Sequence, residues 1–368
     1  MHIKEIEIKG FRNLREVSLE IKTEGSFVIG GNGQGKTNFL EAIYYLGTMK
    51  SFRTNRDTDL INFERDFFRI KGSYKGKKEG TIEAAYDGRR KVVKIDGSKA
   101  RKIRDAFGVM KVVVMTPDDV EMIRSYPQKR RRFLDIVISM TSQKYLMALT
   151  RYQTVLRHRN SLLKDGVSQE DSISAWDNQL SELSAHIAGM RSEFMTEYSR
   201  YYEELNSKLA GARESHVFYS TSPKQALKLI EEGKEEELMD LYEKTLRKTI
   251  EKDRALGTTT TGPHRDDMLI KLEGRDMKQF GSQGQQRTSV FALRIAEARY
   301  IEEKTGERPI LLMDDVFSQL DIERGRRLMK LVGENYQTII TTPRSVGDSY
   351  VTLKMGKLFV DGGKLAYL

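Results

Sequence analysis

The stretch of sequence that decides the fold is Phe27-Val28-Ile29-Gly30-Gly31-Asn32-Gly33-Gln34-Gly35-Lys36-Thr37. Its first three residues are typical of a short buried strand, and a helical pattern runs from Lys36 to about Leu46. The glycine segment satisfies the pattern G-x-x-x-x-G-K-[ST], whose glycines let backbone N–H groups and a helix N-terminus face phosphate oxygens. A glycine turn that matches by chance is the alternative, but strand and helix both stand where the pattern requires them. The sequence therefore predicts a phosphate-binding loop.

The pattern assigns a role to the polar side chains of this loop. We expect Lys36 to reach the β- and γ-phosphates of ATP and Thr37 to supply a hydroxyl to Mg²⁺. The residues predicted to bind the nucleotide from this segment are Gly30, Gly31, Asn32, Gly33, Gln34, Gly35, Lys36, Thr37 and Asn38.

A second motif supplies the carboxylates that such a loop needs. The run Ile310-Leu311-Leu312-Met313 reads as an apolar strand, and it ends in Asp314 and Asp315. Charge at the end of a buried parallel strand is unfavourable unless it is compensated, so we expect Asp314 to hold Mg²⁺ through water. Asp315 would then orient the attacking water, which makes it the predicted catalytic residue together with Lys36. The alternative is an ordinary surface turn.

The two motifs are separated by most of the chain, which points to a P-loop ATPase core interrupted by a long insertion. We predict an α/β head over residues 1–124 and 254–368, with a β-meander at about 67–95. Residues 125–253 read as a helical insertion, because apolar residues recur in steps of three and four from Trp176 to Leu205. Such a stripe predicts a long helix in a truncated, coiled-coil-like arm.

A third element is needed by ATPases of this kind, namely a Ser-x-Gly turn that a second subunit presents to the γ-phosphate. Ser282-Gln283-Gly284-Gln285 fits this description and directly precedes a helical pattern. Alone the motif is weak, because Ser and Gly are ordinary helix caps. We expect Ser282, Gly284 and Gln285 to contact the nucleotide of a neighbouring copy, which implies an ATP-dependent homodimer.

Charge indicates the kind of partner. The 368 residues include 63 Lys and Arg against 53 Asp and Glu, a formal net charge of +10, and the cations are clumped. Such clumping favours nucleic acid over an anionic membrane, since no basic amphipathic anchor is visible. The DNA-contact candidates are Lys129, Arg130, Arg131 and Arg132, with a solvated helix face as the alternative. Without a helix-turn-helix or zinc-finger pattern, we expect recognition of DNA form rather than of sequence.

Other classes of protein are excluded by composition. The chain has no cysteine, so it can form neither a disulfide framework nor a thiolate metal cluster nor a catalytic thiol. Its longest apolar runs fall far short of the roughly 18 residues of a membrane helix, and its first residues lack the apolar block of a signal peptide. We expect a cytoplasmic protein with no membrane partner.

Eight segments, in order along the chain, resemble those of the bacterial RecF family. They are Phe11-Arg12-Asn13-Leu14, the glycine loop, Lys50-Ser51-Phe52-Arg53-Thr54, Thr116-Pro117-Asp118-Asp119, Arg130-Arg131-Arg132-Phe133-Leu134-Asp135, Gly262-Pro263-His264-Arg265-Asp266-Asp267, Ser282-Gln283-Gly284-Gln285-Gln286-Arg287 and Asp314-Asp315-Val316-Phe317-Ser318-Gln319-Leu320-Asp321. RecF is similar to the heads of SMC and Rad50 proteins among the ABC ATPases. The resemblance implies an α/β, ABC/SMC-type P-loop ATPase head with an inserted, mostly helical second lobe.

The resemblance also implies an activity. It is a weak, DNA-stimulated ATPase of recombinational repair and replication restart, in which an ATP-driven dimer clamps double-stranded or gapped DNA and helps to load the recombinase. RecR and RecO are the implied protein partners, the nucleoid is the implied location, and residues 318–321 are the implied D-loop. Three departures stand out: Asp315 where ABC heads commonly have Glu, which suggests slow hydrolysis, residues 116–119 in place of a glutamine loop, and Thr341-Thr342 in place of the switch histidine.

Two other functions are compatible with the motifs. One is a P-loop phosphotransferase that acts on a small molecule, which the Ser-x-Gly element disfavours. The other is an ATP-gated scaffold with negligible hydrolysis. His264 and Arg265 could line the nucleotide or contact DNA, or Arg265 could stabilise a turn with Asp266 or Asp267.

Overall fold

Two units, each with its own β-structure, make up the part of the chain that this computed structural model describes, namely residues 1–164, 170–210, 214–333, 335–343 and 355–367. The first unit comprises Met1–Val120, Leu205–Ala212 and Gln283–Leu368, and the second comprises Glu121–Glu204 and Arg213–Ser282. Across the described ranges, no helix combines the length and the apolarity needed to cross a membrane.

The described residues form fifteen strands and eleven helices. The strands are β1 His2–Phe11, β2 Leu14–Glu20, β3 Gly25–Ile29, β4 Phe68–Lys75, β5 Glu79–Tyr86, β6 Lys91–Ile95, β7 Ser98–Lys99, β8 Val112–Met115, β9 Ser215–Ser220, β10 Asp267–Leu272, β11 Arg275–Asp276, β12 Ile310–Met313, β13 Thr338–Thr342, β14 Gly356–Asp361 and β15 Lys364–Tyr367. The helices are α1 Lys36–Thr48, α2 Glu121–Arg124, α3 Pro127–Thr141, α4 Gln143–Lys164, α5 Glu170–Ala210, α6 Ala226–Glu231, α7 Glu235–Lys248, α8 Ile250–Leu256, α9 Met277–Phe280, α10 Gln283–Thr305 and α11 Ile322–Val332.

A mostly parallel sheet of order β15-β14-β3-β13-β12-β8 forms the centre of the first unit. Its strands β3, β8, β12 and β13 are buried along their whole length, as expected of parallel strands covered on both faces. The predicted strands at 27–29 and 310–313 are confirmed. Because parallel strands end at the same edge, the segments that follow β3 and β12 emerge on either side of the end of β13.

The second sheet of the first unit is antiparallel, with the order β2-β1-β4-β5-β6-β7. It contains the predicted meander as β4, β5 and β6. Helix α1 contacts strands of both sheets, and its apolar side chains, including Phe39, Leu40, Tyr45 and Leu46, are buried. Packing on two sides explains why this helix has an apolar pattern all round, and it fixes the direction in which the helix begins.

The predicted long helix is α5, which spans 41 residues and belongs to the second unit as far as Glu204. This unit also contains a three-stranded sheet of order β11-β10-β9, in which β9 pairs antiparallel with β10 along its full length. This pairing keeps residues 254–282 with the second unit, beyond the predicted boundary at 253. The strand β9 was not predicted, because its partner lies about fifty residues away in the sequence and its own alternation spans only six residues.

A buried ionic cluster connects three helices of the second unit. Arg159, on α4, donates to Asp177 at 2.6 Å and to Asp253 and Thr259 at 2.8 Å each. All four residues are buried. This arginine is one of the clumped cations of the sequence, in the run Arg157-His158-Arg159, and it lies in the protein interior.

We expect Arg159→Leu to lower the free energy of unfolding by about 3–5 kcal/mol, because it leaves two buried carboxylates without their cation. Arg157→Leu is the matched control, since Arg157 is exposed on the same helix. Urea denaturation followed by circular dichroism compares the two variants with the parent. Equal destabilisation by both substitutions would contradict the assignment of Arg159 as a structural cation.

Candidate functional site

The loop between β3 and α1 adopts a conformation that requires glycine. Gly33 and Gly35 have φ values of +76° and +116°, in the left-handed region that other residues rarely adopt. A Cβ at Gly35 would lie 2.8 Å from Asn13 Oδ1, and one at Gly30 would lie 2.4 Å from the carbonyl oxygen of Val360. The backbone is therefore held close to its neighbours on one side, which leaves the other side for a ligand.

Helix α1 begins with unsatisfied donors. No side chain caps its N-terminus, and its first turn contains no acidic residue. Its first N–H groups and the positive end of the helix dipole are thus available to an anion, as the sequence pattern requires. Lys36 Nζ donates to the carbonyl oxygens of Gly30 and Gly31 at 2.8 Å each, so the ammonium group lies on the loop. Burial lowers the pKa of Lys36, and Asp315 and Asp314 oppose that shift.

The predicted metal ligands lie together at the ends of neighbouring strands. The hydroxyl of Thr37 lies 2.9 Å from both carboxylate oxygens of Asp314. On the other side of Asp314, Thr341 Oγ1 donates to Oδ1 at 2.7 Å. Burial raises the pKa of Asp314, because these hydroxyl donors and the other nearby groups compensate its charge only in part.

These residues fit a magnesium ion. Mg²⁺ takes oxygen ligands, and nucleotide-binding proteins hold it through one or two protein oxygens together with phosphate and water. Within the described part of the chain, Asp314 forms no ion pair, so its buried charge is left for a cation from outside. Thr37 and Asp314 are therefore suited to hold Mg²⁺ together.

Asp315 has an unusual backbone and an unusual environment. Its φ is +47°, a value that non-glycine residues adopt only under constraint, and its N–H donates to Thr341 Oγ1 at 2.8 Å. Its Oδ1 is buried and has no hydrogen-bond partner among the described residues. A buried acceptor without a partner is rare in proteins and suits a group that meets a ligand.

Thr341 was identified in the sequence only as the residue at the place of a switch histidine. The structure shows what it contacts: its hydroxyl donates to Asp314 and accepts from the N–H of Asp315. Because β13 lies between β3 and β12, a residue at its end reaches both aspartates. Thr341 is thus a positioning residue for the carboxylate pair.

Sequence reasoning also missed the hydrogen bonds that hold the glycine loop in place. Asn13 Nδ2 donates to the carbonyl oxygen of Gln34 at 3.1 Å, and Asn38 Nδ2 donates to Asn13 Oδ1 at 2.8 Å. The Phe11-Arg12-Asn13-Leu14 segment contributed only to the family resemblance, and its asparagine has a physical role in holding the glycine loop.

A buried carboxylate on α1 binds two arginines close to the glycine loop. Glu41 is fully buried and accepts from Arg12 at 2.9 and 3.0 Å and from Arg53 at 3.3 Å. Arg53 also donates to Asn38 Oδ1 at 2.8 Å. A glutamate inside an otherwise apolar helix was the one available signal in the sequence, and its arginine partners could not be assigned without the fold.

The segment at the place of a glutamine loop, residues 116–119, is held by hydrogen bonds and an ion pair of Asp119. Asp119 accepts from the N–H of Thr116 at 2.8 Å, and its two carboxylate oxygens accept from Arg294 at 2.6 and 3.1 Å. Arg294 also binds Glu297, and burial raises the pKa of Glu297 to about 7. Asp119 therefore connects the segment after β8 to α10, whereas the neighbouring Asp118 is exposed.

The Ser-x-Gly element lies at the start of α10. Ser282 is exposed, Gly284 and Gln285 are half-buried in the first turn, and that turn contains no acidic residue. A Cβ at Gly284 would come within 3.1 Å of a nitrogen at the end of the Arg324 side chain, which would have to move slightly to admit it. Their contact with the nucleotide of a neighbouring copy remains a prediction.

The cationic run at 129–132 does not form one exposed face. Arg130 is buried, donates to both carboxylate oxygens of Asp267 at 2.7 and 2.8 Å, and binds two backbone carbonyl groups. Arg131 donates to the carbonyl oxygen of Asp266 at 2.8 Å. The prediction of Arg130 as a DNA contact is corrected, because its position on α3 faces β10. Lys129 is exposed and Arg132 is half-buried.

His264 is half-buried and Arg265 is exposed, and both form hydrogen bonds within the second unit. Tyr152 donates to His264 Nδ1 at 2.6 Å, and His264 Nε2 donates to the carbonyl oxygen of Thr259 at 2.9 Å. Burial lowers the pKa of His264 to about 4, so the ring is neutral at pH 7. Arg265 donates to the same carbonyl oxygen, and neither Asp266 nor Asp267 is its partner.

Comparison with known proteins agrees with this site. Residues 2–349 match the family model described as the RecF/RecN/SMC N-terminal domain. The DNA replication and repair protein RecF of Halalkalibacterium halodurans is 35% identical over 99% of both chains, and that of Clostridium beijerinckii is 37% identical over 93% of this chain and 91% of its own. The chain belongs to the RecF family of DNA replication and repair proteins. This membership argues against the small-molecule phosphotransferase.

Solved structures extend the likeness to three dimensions. A recombination mediator protein RecF with ATP, from the RecFOR pathway, is 30% identical over 100% of this chain and 97% of its own, with a TM-score of 0.89. An Smc head shares the fold with a TM-score of 0.58 at 16% identity, covering 100% of this chain and 98% of the other. The predicted fold class, an SMC/RecF ABC-type ATPase head with a helical insert, is confirmed.

We expect Asp314→Asn to stabilise the nucleotide-free chain. The pKa of Asp314 is raised on folding, so its charged form is less favourable in the folded than in the unfolded state at neutral pH, and the neutral amide removes that penalty. The same change should remove the further rise in Tm that Mg²⁺ and ATP give the parent. Thermal denaturation measures both effects, with Asp118→Asn as control. An equal ligand-induced rise in all three proteins would contradict the metal assignment.

Proposed function

We propose that this chain is an ATP-dependent DNA-binding protein of recombinational repair and replication restart. In this proposal ATP joins two copies into a clamp on double-stranded or gapped DNA, and slow hydrolysis releases them. The observation that carries the proposal is the meeting of Lys36, Thr37 and Asp314 where the segments after neighbouring parallel strands emerge. A RecF structure with ATP, similar over the full length of this chain, supports the choice of nucleotide.

The residues at the loop would share the binding of ATP. Backbone N–H groups at the start of α1 and the ammonium group of Lys36 would neutralise phosphate charge. Thr37 and Asp314 would hold Mg²⁺, which when bound supplies charge neutralisation for the transferring phosphoryl group. Lys36 would exchange its bonds to the two loop carbonyl oxygens for bonds to phosphate oxygens, which are anionic and therefore stronger acceptors for an ammonium group.

Hydrolysis would depend on Asp315. Its buried, unpartnered carboxylate oxygen is available to accept a proton or a hydrogen bond from water. The side chain is one methylene shorter than the glutamate common in ABC heads, and the Thr341 bond to its N–H restricts the backbone. Both features favour slow turnover, and we infer that DNA accelerates it weakly.

Dimerisation would complete the site. The exposed hydroxyl of Ser282, with Gly284 and Gln285 at the N-terminal end of the 23-residue α10, offers donors and a favourable dipole end to an anion. A γ-phosphate bound to one copy would be the shared contact with the other. ADP lacks that phosphate, so it should not join the copies.

DNA would be bound through phosphate contacts. The net charge of +10 favours a polyanion, and contacts to phosphates alone do not distinguish sequences. Lys129, with Arg131 and Arg132, stays a candidate after Arg130 is assigned to the interior. By family membership we also infer a place in the cytoplasm at the nucleoid, association with RecR and RecO, and help in loading the recombinase at single-stranded gaps.

We expect Ser282→Arg to bind ATP as a monomer and to fail to dimerise, because bulk and positive charge replace the shared contact.

Asp315→Asn should instead prolong the ATP-bound dimer by slowing hydrolysis, and Lys36→Ala should abolish ATP-dependent behaviour without unfolding. Sedimentation with ATP, ADP and Mg²⁺ distinguishes these results. The proposal fails if the parent stays monomeric at saturating ATP, or if the Ser282 variant dimerises as the parent does.

DNA affinity should fall steeply with salt, with a log–log slope of about −0.9 for each phosphate contact. Lys129→Glu should weaken binding several-fold and reduce the slope by about one contact. The control is Lys224→Glu, an exposed lysine whose reversal changes the net charge equally. Fluorescence anisotropy with duplex DNA compares them. If the two reversals act alike, Lys129 acts only through the net charge and contacts no phosphate.

A further inference from the structure

A groove of about 280 Å³ opens on the second unit, between one face of α5 and the turn that joins α6 to α7. Its walls include Ala185 and Leu238, which are buried, and Met190, Leu229 and Ile230, which are half-buried. We name it the α5–α7 groove. It uses no residue that the nucleotide site or the DNA prediction uses.

A glycine keeps the α5 wall of the groove open. Gly189 lies in the interior of the 41-residue α5, where glycine is less favourable than alanine. The usual reason for such a glycine is the close approach of other atoms, yet a Cβ at Gly189 would meet no atom of the described structure within 4 Å. The opposite wall has Gly233, whose φ of +69° accounts for it, and a Cβ there would also meet open space. Nothing within the described chain accounts for Gly189.

Two carboxylates, Glu193 and Glu235, line the groove beside Lys234 and His186, and the residues next to them in the α6–α7 turn and the start of α7 form a rim that is mostly acidic in sequence. Residues 231–240 contain six carboxylates and one lysine, although the whole chain carries a net charge of +10. Lys234 pairs with Glu232 at 3.0 Å and with Glu237 at 3.6 Å, while Glu231, Glu235 and Glu236 form no ion pair among the described residues. On the α5 side the exposed Glu193 adds to the same charge.

Helix stability explains only part of this charge. Glu235, Glu236 and Glu237 lie in the first turn of α7, where carboxylates interact favourably with the helix dipole. Glu231 and Glu232 instead lie at the C-terminal end of α6, where the dipole disfavours them, and Glu193 is in the interior of α5. Glu193 of α5 and Glu235 of α7 thus line the groove, and Glu231 and Glu232 adjoin it in sequence, where the dipole of α6 disfavours them.

We propose that the α5–α7 groove docks a basic amphipathic helix of a partner protein. Its apolar side chains would enter between α5 and the α6–α7 turn, and its Lys or Arg side chains would face the carboxylates of the rim. Gly189 lets the backbone or a large side chain of the partner approach α5 closely.

Other occupants suit the groove less well. DNA is repelled by the acidic rim. A second copy of this chain related by a two-fold axis would place the same acidic surface against itself. The volume lies below the roughly 300–1,000 Å³ of sites for drug-sized ligands, and the exposed, charged rim suits a peptide better.

The test uses a synthetic, fluorescein-labelled helix of about 18 residues with leucines at i, i+3, i+4 and i+7 and lysines on the flanking positions. We expect it to bind the full chain, more weakly as salt is raised. Gly189→Trp fills the groove and should raise the Kd at least about tenfold, and Gly189→Ala, which adds one carbon on the side that the partner approaches, should raise it by a smaller factor. Glu235→Lys with Glu236→Lys changes only exposed side chains and should also raise the Kd at least about tenfold.

Three results would overturn the proposal: no binding by the parent, equal binding by all variants, or equal binding of a peptide whose lysines are replaced by glutamates. The double Glu variant keeps the test decisive if Gly189→Trp does not fold. ATP-dependent dimerisation should be unchanged in Gly189→Ala and in the Glu variant, and duplex binding should be unchanged in Gly189→Ala, which keeps the net charge. Failure of the groove is therefore distinguishable from failure of the proposed function.

Discussion

The contact between Thr37 and Asp314 is the interaction on which the arrangement of the first unit depends. The two residues are separated by 277 positions in the chain and meet because β3 and β12 flank β13 in one parallel sheet. A buried carboxylate is tolerated only where donors or cations compensate it. Here two threonine hydroxyls supply the donors, which leaves the cation to be provided with the ligand.

The same constraint explains the layers around the site. A parallel sheet must be covered on both faces, and α1 covers part of one face while its other side packs on the antiparallel sheet. Held in this way, α1 points its N-terminus along the end of β3. The Arg12–Glu41–Arg53 cluster and the Asn13–Asn38 bond then hold the loop in place from the side away from the ligand. The packing that stabilises the fold therefore also positions the residues of the site.

Much of this could be predicted from the sequence, because the signals are local. The glycine loop lies between a strand pattern and a helix pattern, the apolar stripe of α5 repeats over many turns, and the apolar run before Asp314 ends at a charge. In each case a few adjacent residues contain both the element and its boundary. The α/β class, the long helix and the meeting of Thr37 with Asp314 followed from such signals.

The rest depended on distant partners. Arg130 and Arg159 read as members of cationic runs. In the fold they form ion pairs with Asp267 and Asp253, which lie 137 and 94 positions away in the sequence. Strand β9 is short and is stabilised by β10. Thr341 acquires its role only from the strand order, which places β13 between β3 and β12. A single sequence does not show which segments become neighbours in the fold. The roles of these residues depend on those neighbours and so could not be predicted.

The discontinuous first unit has a consequence for how the protein is made. During synthesis β3 and α1 emerge early, but β13, which pairs with β3, and β12, which supplies Asp314, emerge only after the whole second unit. Domains generally fold as units as the chain emerges, and pairings between distant segments form late. The second unit is thus complete on the ribosome while the glycine loop still lacks its carboxylate. The arrangement of Thr37, Asp314 and Thr341 at neighbouring strand ends is consequently acquired only after β13 has been made.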